Sequence, residues 1–243
     1  MKAFFIALQF LTRIHLAAQT VWSDDDFGRS VRFFPVVGII IGLFLWLIYS
    51  LGQYVFSGLV LPALVVAAGF YITGGLHADG FMDTADGLFS GRDRQRMLEI
   101  LKDSHVGSMA VIAFSFLVLL KVAFLNDLPA ERMAAALISV PAASRFGTLI
   151  SIFEFPYARP QGLGRAFVEK APAGTLPLGF AGALLPALYF GWLPVILVGA
   201  AMVISLSANT YITHKLGGVT GDTYGAITEL SELLLYAIIY LLP

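Results

Sequence analysis

The sequence predicts an all-α, polytopic transmembrane helix bundle, and three observations predict it. Apolar residues make up 58% of the 243-residue chain and charged residues 13%, against roughly 25% charged in an average soluble domain. Mean hydropathy is +0.82, and a soluble globule of this size could not hide so much hydrocarbon from water. Seven stretches approach the ~20 mostly apolar residues that a spanning helix requires.

Taken in order, residues 1–32 carry Phe4, Phe5, Leu8 and Leu11 at helical spacing, then the cluster Asp24, Asp25, Asp26. That pattern predicts an amphipathic helix lying in the membrane interface. Thr12, Arg13 and His15 stand where a small-residue cleavage site belongs, so a cleaved signal peptide is not expected. The spans are expected over 33–51, 59–76, 108–125, 133–152, 175–208 and 227–242. The stretch 175–208 is too long for one span and is interrupted by Pro186, Gly191 and Pro194. It divides into two short helices with a turn near Gly191, which brings the total to about seven. No repeat, low-complexity tract or linker interrupts 1–243, which reads as a single integral membrane domain.

Positive charge orients the bundle, because cytoplasmic loops carry the excess of Lys and Arg. Lys2, Arg13, Arg29 and Arg32 precede the first span, and Arg92, Arg94, Arg96 and Lys102 lie between the second and third. Arg159, Arg165 and Lys170 follow the fourth, and Lys215 follows the sixth. Only Arg132 falls in a loop of opposite parity, while Lys121 and Arg145 sit inside spans. The expected topology is therefore N-terminus inside, C-terminus outside. A net charge of −1 offers no basic stripe for nucleic acid. The absence of cysteine removes disulfides, thiolate metal sites and cysteine nucleophiles.

The chemistry concentrates in the segment from Thr73 to Gly87. At 100° per residue, Asp79, Asp83 and Asp86 fall within an arc of about 60° on one helical face. Three carboxylates on one face repel, and hard oxygen donors at this density suit Mg²⁺ or Mn²⁺ better than zinc. The competing reading is a solvated acidic face, but Gly80 and Gly87 bring backbone within reach of a ligand, which such a face does not need. His77 lies about 160° from Asp79 on a continuous helix. It joins the acidic face only if Gly74-Gly75 unwinds the backbone, and otherwise caps the second span.

A second acidic set, Asp222, Glu229 and Glu232, covers roughly 80° of a helix face at the entrance of the last span. A helix dipole accounts for Asp222 but not for acids at membrane depth, which are functional by default. Arg145 lies in the inner half of the fourth span, where it either clamps phosphate or pairs with a carboxylate such as Glu154. The loop after it carries Arg159, Gly162, Gly164 and Arg165, a combination suited to phosphate oxygens through guanidinium forks and backbone N–H groups. Asp103 either caps the third span or adds a carboxylate. All these groups share one membrane face, as a phosphoryl-type transferase requires.

These residues carry a resemblance. The strings Gly75-Leu-His-Ala-Asp-Gly-Phe-Met-Asp-Thr-Ala-Asp-Gly87, Lys102-Asp-Ser-His-Val-Gly107, Pro156-Tyr-Ala-Arg159 with Gly162-Leu-Gly164, and Gly221-Asp-Thr-Tyr-Gly-Ala-Ile-Thr-Glu-Leu-Ser-Glu232 together resemble the cobalamin synthase (adenosylcobinamide-GDP ribazoletransferase) family. Gln9-Phe-Leu-Thr-Arg13 and Phe34-Pro-Val-Val-Gly38 are similar as well, so the resemblance spans nearly the whole chain. Family members normally carry Arg or a similar residue in place of His105, and Leu more often than Ala78 or Met82. These departures stand beside the carboxylates rather than on them.

The resemblance implies a bacterial inner-membrane enzyme of late vitamin B12 assembly with its active site on the cytoplasmic side. It would join α-ribazole, or α-ribazole 5′-phosphate, to adenosylcobinamide-GDP and release GMP with Mg²⁺ present. Asp79, Asp83 and Asp86 would hold Mg²⁺ on the pyrophosphate, with Asp222 or Glu229 taking the proton of the attacking 3′-hydroxyl. His77, Asp103, Arg145, Arg159, Gly162, Gly164, Arg165 and Glu232 are the expected substrate-binding residues. Besides these substrates the implied partner is membrane lipid, and the sequence leaves a homo-oligomer open. Two other readings fit less well. A CDP-alcohol phosphotransferase would follow Asp-Gly with an Ala-Arg pair, where Asp79-Gly80 is followed by Phe-Met-Asp. A proton-coupled secondary transporter would place its acids at the midplane rather than near one face.

Overall fold

The computed structural model describes residues 2–16 and 22–243, and these are helical with no extended sheet. The helices in chain order are α1 (Lys2–Leu11), α2 (Asp24–Ser30), α3 (Phe34–Gly52), α4 (Val60–Thr73), α5 (Leu76–Phe89), α6 (Arg94–Ile100) and α7 (Ser108–Asp127). They continue with α8 (Ala130–Glu154), α9 (Leu163–Lys170), α10 (Thr175–Leu184), α11 (Ala187–Phe190), α12 (Leu193–Leu216) and α13 (Gly221–Leu241). Five helical stretches among the described residues are long and apolar enough to cross a membrane, and up to seven if two bent pairs each count as one. The multi-pass bundle expected from composition is present.

Within the segment 1–32, expected to hold an interfacial helix, the described residues form two helices, α1 and α2. Residues 17–21 of that segment lie outside the described residues. Ile6, Ala7, Leu8 and Leu11 of α1 are buried, because Phe4 and Phe10 dock edge-on or stacked against Phe33 and Phe34 at the foot of α3. The acidic cluster starts α2, where Ser23 and Asp26 form a capping box, and α2 runs through one 3-10 turn into α3 as a single 29-residue stretch.

The central element is α8, in which every residue from Ala135 to Ile152 is buried. Its small residues admit close neighbours, as membrane helices require where apolar burial supplies no drive. A Cβ added to Gly38 or Gly42 of α3 would stand 2.4 or 2.5 Å from the α8 backbone. On another side Asn209 of α12 donates to Ser151 at 2.7 Å and Ser205 donates to the Gly147 carbonyl at 2.6 Å. Thr148 and Thr228 tie α8 to α13 at 2.7 Å.

The stretch expected as a span over 59–76 is helical over 60–73 as α4. Helix α4 stops at Thr73 because Gly74 and Gly75 take left-handed backbone, φ 65° and 76°. The Gly75 N–H then caps the Phe70 carbonyl at 2.9 Å, and α5 leaves at 95° to α4. It packs across α13 and α7. Gly80 makes the crossing possible, since a Cβ there would lie 2.5 Å from the Asp222 carbonyl oxygen. The second bent pair, 109° between α9 and α10–α11, breaks ahead of Thr175, and Gly191 with φ 66° supplies the expected turn before α12.

Candidate active site

The site lies at the end of the bundle where α5 crosses α7 and α13. Asp79, Asp83 and Asp86 share one face of α5, as their spacing predicts, and with Asp222 and Arg159 they line a cavity of about 570 Å³. The three acids are not equivalent. Both oxygens of Asp86 accept backbone N–H groups of the next helix, from Gly107 at 2.6 Å and Ala110 at 2.8 Å. Asp86 thus caps the N-terminus of α7 from outside, where the helix dipole favours a negative charge. Asp83 has no such compensation. Burial, followed by the charges of Asp79, Asp222 and Asp86, pushes its carboxyl up to about 7, against the lowering effect of Arg159.

Asp222 arrives from a different element. Thr220 and Thr223 form a capping box that starts α13, which sets Asp222 in its first turn. The loop after α8 is pinned beside it. Ala158 N–H donates to the Val219 carbonyl and Val219 N–H to the Pro156 carbonyl, both at 2.8 Å. This pairing places the Arg159 guanidinium 2.8 Å from the Asp222 carboxylate, with the arginine side chain only 12% exposed. Gly218 permits the approach, because a Cβ there would stand 2.4 Å from the Pro156 carbonyl oxygen.

Asp79, Arg159 and Asp222 also border a second cavity of about 290 Å³ behind the first. Its lining is largely aromatic and small: Phe10, Phe34, Tyr157, Phe167, Tyr224 and the glycines of both loops, with His77 among them. Gly162 and Gly164 border it as expected, but their identity has another cause. An added Cβ at either would stand 2.7 or 2.5 Å from the Tyr157 side chain, so the glycines make room for that ring. Asp103 sits at the mouth of the acidic cavity, where it accepts from the His105 backbone and pairs with its ring. Arg165 borders neither cavity. It pairs with Glu169 at 2.6 Å on the exposed face of α9.

The acidic face expected for Asp222, Glu229 and Glu232 divides into two. Glu229 and Glu232 lie about 10–15 Å further along α13 than Asp222 at 1.5 Å per residue and border neither of these cavities. They form a buried ion cluster with two cations. Lys121 of α7 donates to Glu229 at 2.5 Å and to Glu232 at 2.8 Å, and Arg145 of α8 donates to Glu232 at 2.5 Å. Arg145, 2% exposed, also donates to the Pro141 carbonyl and faces His77 Nδ1 at 3.4 Å. Its carboxylate partner is therefore Glu232 and not Glu154. His77 is buried at the start of α5, between this cluster and the aromatic cavity. The sequence reading assigned no role to Lys121, Tyr157 or Tyr224. An intramembrane lysine was the available signal for the first, while nothing in the spacing marked the two tyrosines.

Asp79 and Asp83, hard oxygen donors with no ion-paired cation among the described residues, suit a divalent metal. Among the described residues no three Asp, Glu or His side chains converge into a closed cage. Mg²⁺ is commonly held by one or two carboxylates together with substrate phosphates, and Asp79 and Asp83 at one cavity fit that arrangement.

A helix bundle that crosses the membrane several times and gathers carboxylates and an arginine at one end defines a multi-pass membrane enzyme. Residues 3–240 match the family model CobS, cobalamin-5-phosphate synthase, and the chain belongs to that family. It is 36% identical to the adenosylcobinamide-GDP ribazoletransferase of Clostridioides difficile, covering 100% of this chain and 98% of that one. It is 35% identical to the enzyme of the same name from Acetivibrio thermocellus (99% and 98% covered) and 40% to that from Desulfitobacterium hafniense (96% and 94%). No solved structure matches.

Proposed function

We propose that this chain joins α-ribazole, or its 5′-phosphate, to adenosylcobinamide-GDP at the cytoplasmic face of a bacterial inner membrane, with Mg²⁺ as cofactor. The observation that carries this reading is the wall of Asp79, Arg159 and Asp222 shared by an acidic and an aromatic cavity. Such a wall can hold a pyrophosphate with a different substrate on each side.

The 3′-hydroxyl oxygen of the acceptor forms the new bond to the phosphorus that bears the aminopropanol. The bond from that phosphorus to the bridging oxygen breaks, and GMP leaves with the oxygen. Asp79 and Asp83 would hold Mg²⁺, which would supply charge neutralisation to the pyrophosphate. Arg159 binds non-bridging oxygens and takes up charge as the transition state develops. Asp222, held by Arg159, accepts the hydroxyl proton. Glu229 is not used, because Lys121 holds it inside the bundle. Detergent-solubilised protein given both substrates is expected to release GMP only with Mg²⁺ present. A proton-coupled transporter releases none.

The orientation has its own test. A reporter fused after Lys102 is expected to read cytoplasm and one after Pro243 periplasm. A cytoplasmic C-terminal reading would remove α10–α11, only 16 residues over Thr175–Phe190, from the spans.

A further inference from the structure

We infer that the aromatic cavity is the seat of the planar base of the acceptor nucleoside. This rests on the transfer reaction proposed above and assigns one side of its site. Phe10 of α1, Phe34 of α3 and Phe167 of α9 form a mutually packed trio with ring centroids 5.6–6.0 Å apart, and Tyr157 and Tyr224 face each other at 6.4 Å. Tyr224 is 5% exposed, yet its hydroxyl has no hydrogen-bond partner among the described residues. Tyr157 is backed by the Gly162–Gly164 loop, which lacks the side chains that would push the ring away. The cavity thus offers aromatic surface for a π-system.

The choice of the acceptor over the guanine nucleotide follows from the geometry of displacement. Attacking and leaving oxygens stand roughly in line on opposite sides of the phosphorus. Asp83 and Asp86 border only the acidic cavity, so the pyrophosphate and departing GMP belong there. The attacking sugar must then come from the other side of the Asp79–Arg159–Asp222 wall, which is the aromatic cavity. At about 290 Å³ it is near the lower limit of small-molecule sites, ~300 Å³. It suits a bicyclic base and excludes a corrinoid.

Tyr157→Ala and Phe167→Leu in the full-length enzyme test this. Losing an aromatic wall of the cavity is expected to raise KM for α-ribazole about ten- to a hundredfold. KM for adenosylcobinamide-GDP should stay within about twofold in both, since the effect lies on the acceptor side. Calorimetric titration of α-ribazole alone, without Mg²⁺ or corrinoid, should weaken by the same factors. If KM for adenosylcobinamide-GDP rises instead, guanine occupies the cavity and the assignment is overturned. Unchanged α-ribazole KM and affinity also overturn it, whatever the melting temperatures. Should Tyr157→Ala fail to fold, Phe167→Leu, which keeps an apolar side chain in place of the ring, decides alone. Failure of the wild type to release GMP would refute the transfer reaction, while the α-ribazole titration would still judge the cavity.

Discussion

Asp83→Asn is expected to lower kcat/KM by at least about a hundredfold, the scale of removing one preorganised electrostatic group, while the protein stays folded in detergent. Unlike Asp86, Asp83 caps no helix, so the loss is chemical and not structural. Its carboxyl titrates near 7 against an ordinary 3.8 because it is partly buried beside three other acids. The folded chain therefore keeps a proton that the unfolded chain gives up between those values. Asp83 contributes most favourably below about pH 4, subtracts stability progressively as pH rises, and subtracts the full amount above about pH 7. The amide carries no such dependence. Without metal, Asp83→Asn should raise the melting temperature most at pH 8, with the gain shrinking at pH 5. Turnover within tenfold of wild type at ordinary Mg²⁺, or a gain in melting temperature independent of pH, would contradict the assignment.

Glu232→Ala is expected to be the most damaging single change to stability. Glu232 holds both Lys121 and Arg145, and removing it leaves two cations with Glu229 alone between α7, α8 and α13. Breaking one partner out of a buried ion cluster costs about 3–5 kcal/mol, because the remaining charge is uncompensated, whereas replacing a balanced pair by apolar groups costs far less. Lys121→Met combined with Glu229→Met should therefore melt closer to wild type than either substitution alone. Melting temperature and the monodisperse fraction after detergent extraction measure both. A Glu232→Ala protein as stable as wild type would show that water reaches the cluster.

Much of this was legible in the chain. Apolar stretches of spanning length announce a membrane bundle because lipid leaves the backbone few alternatives to helix. The i, i+4, i+7 spacing put Asp79, Asp83 and Asp86 on one face because helical geometry is local. Gly74-Gly75 marked where the backbone could turn, since only glycine takes left-handed conformation without penalty. The same local periodicity misgrouped Asp222 with Glu229 and Glu232. They share a helix face, but neighbouring helices supply different partners at different depths: Arg159 at the rim, Lys121 and Arg145 inside.

Sequence alone thus determined the class of fold, the membrane setting and the types of residue available for chemistry, because these follow from composition and from short-range backbone geometry. Tertiary structure decided which of those residues meet. Asp86 became the cap of α7, Glu229 and Glu232 became the anchors of a buried ion cluster, and Tyr157 and Tyr224 came to border a cavity beside Arg159. Each outcome depends on contacts between segments far apart in the chain, and no periodicity within one segment records its distance to another.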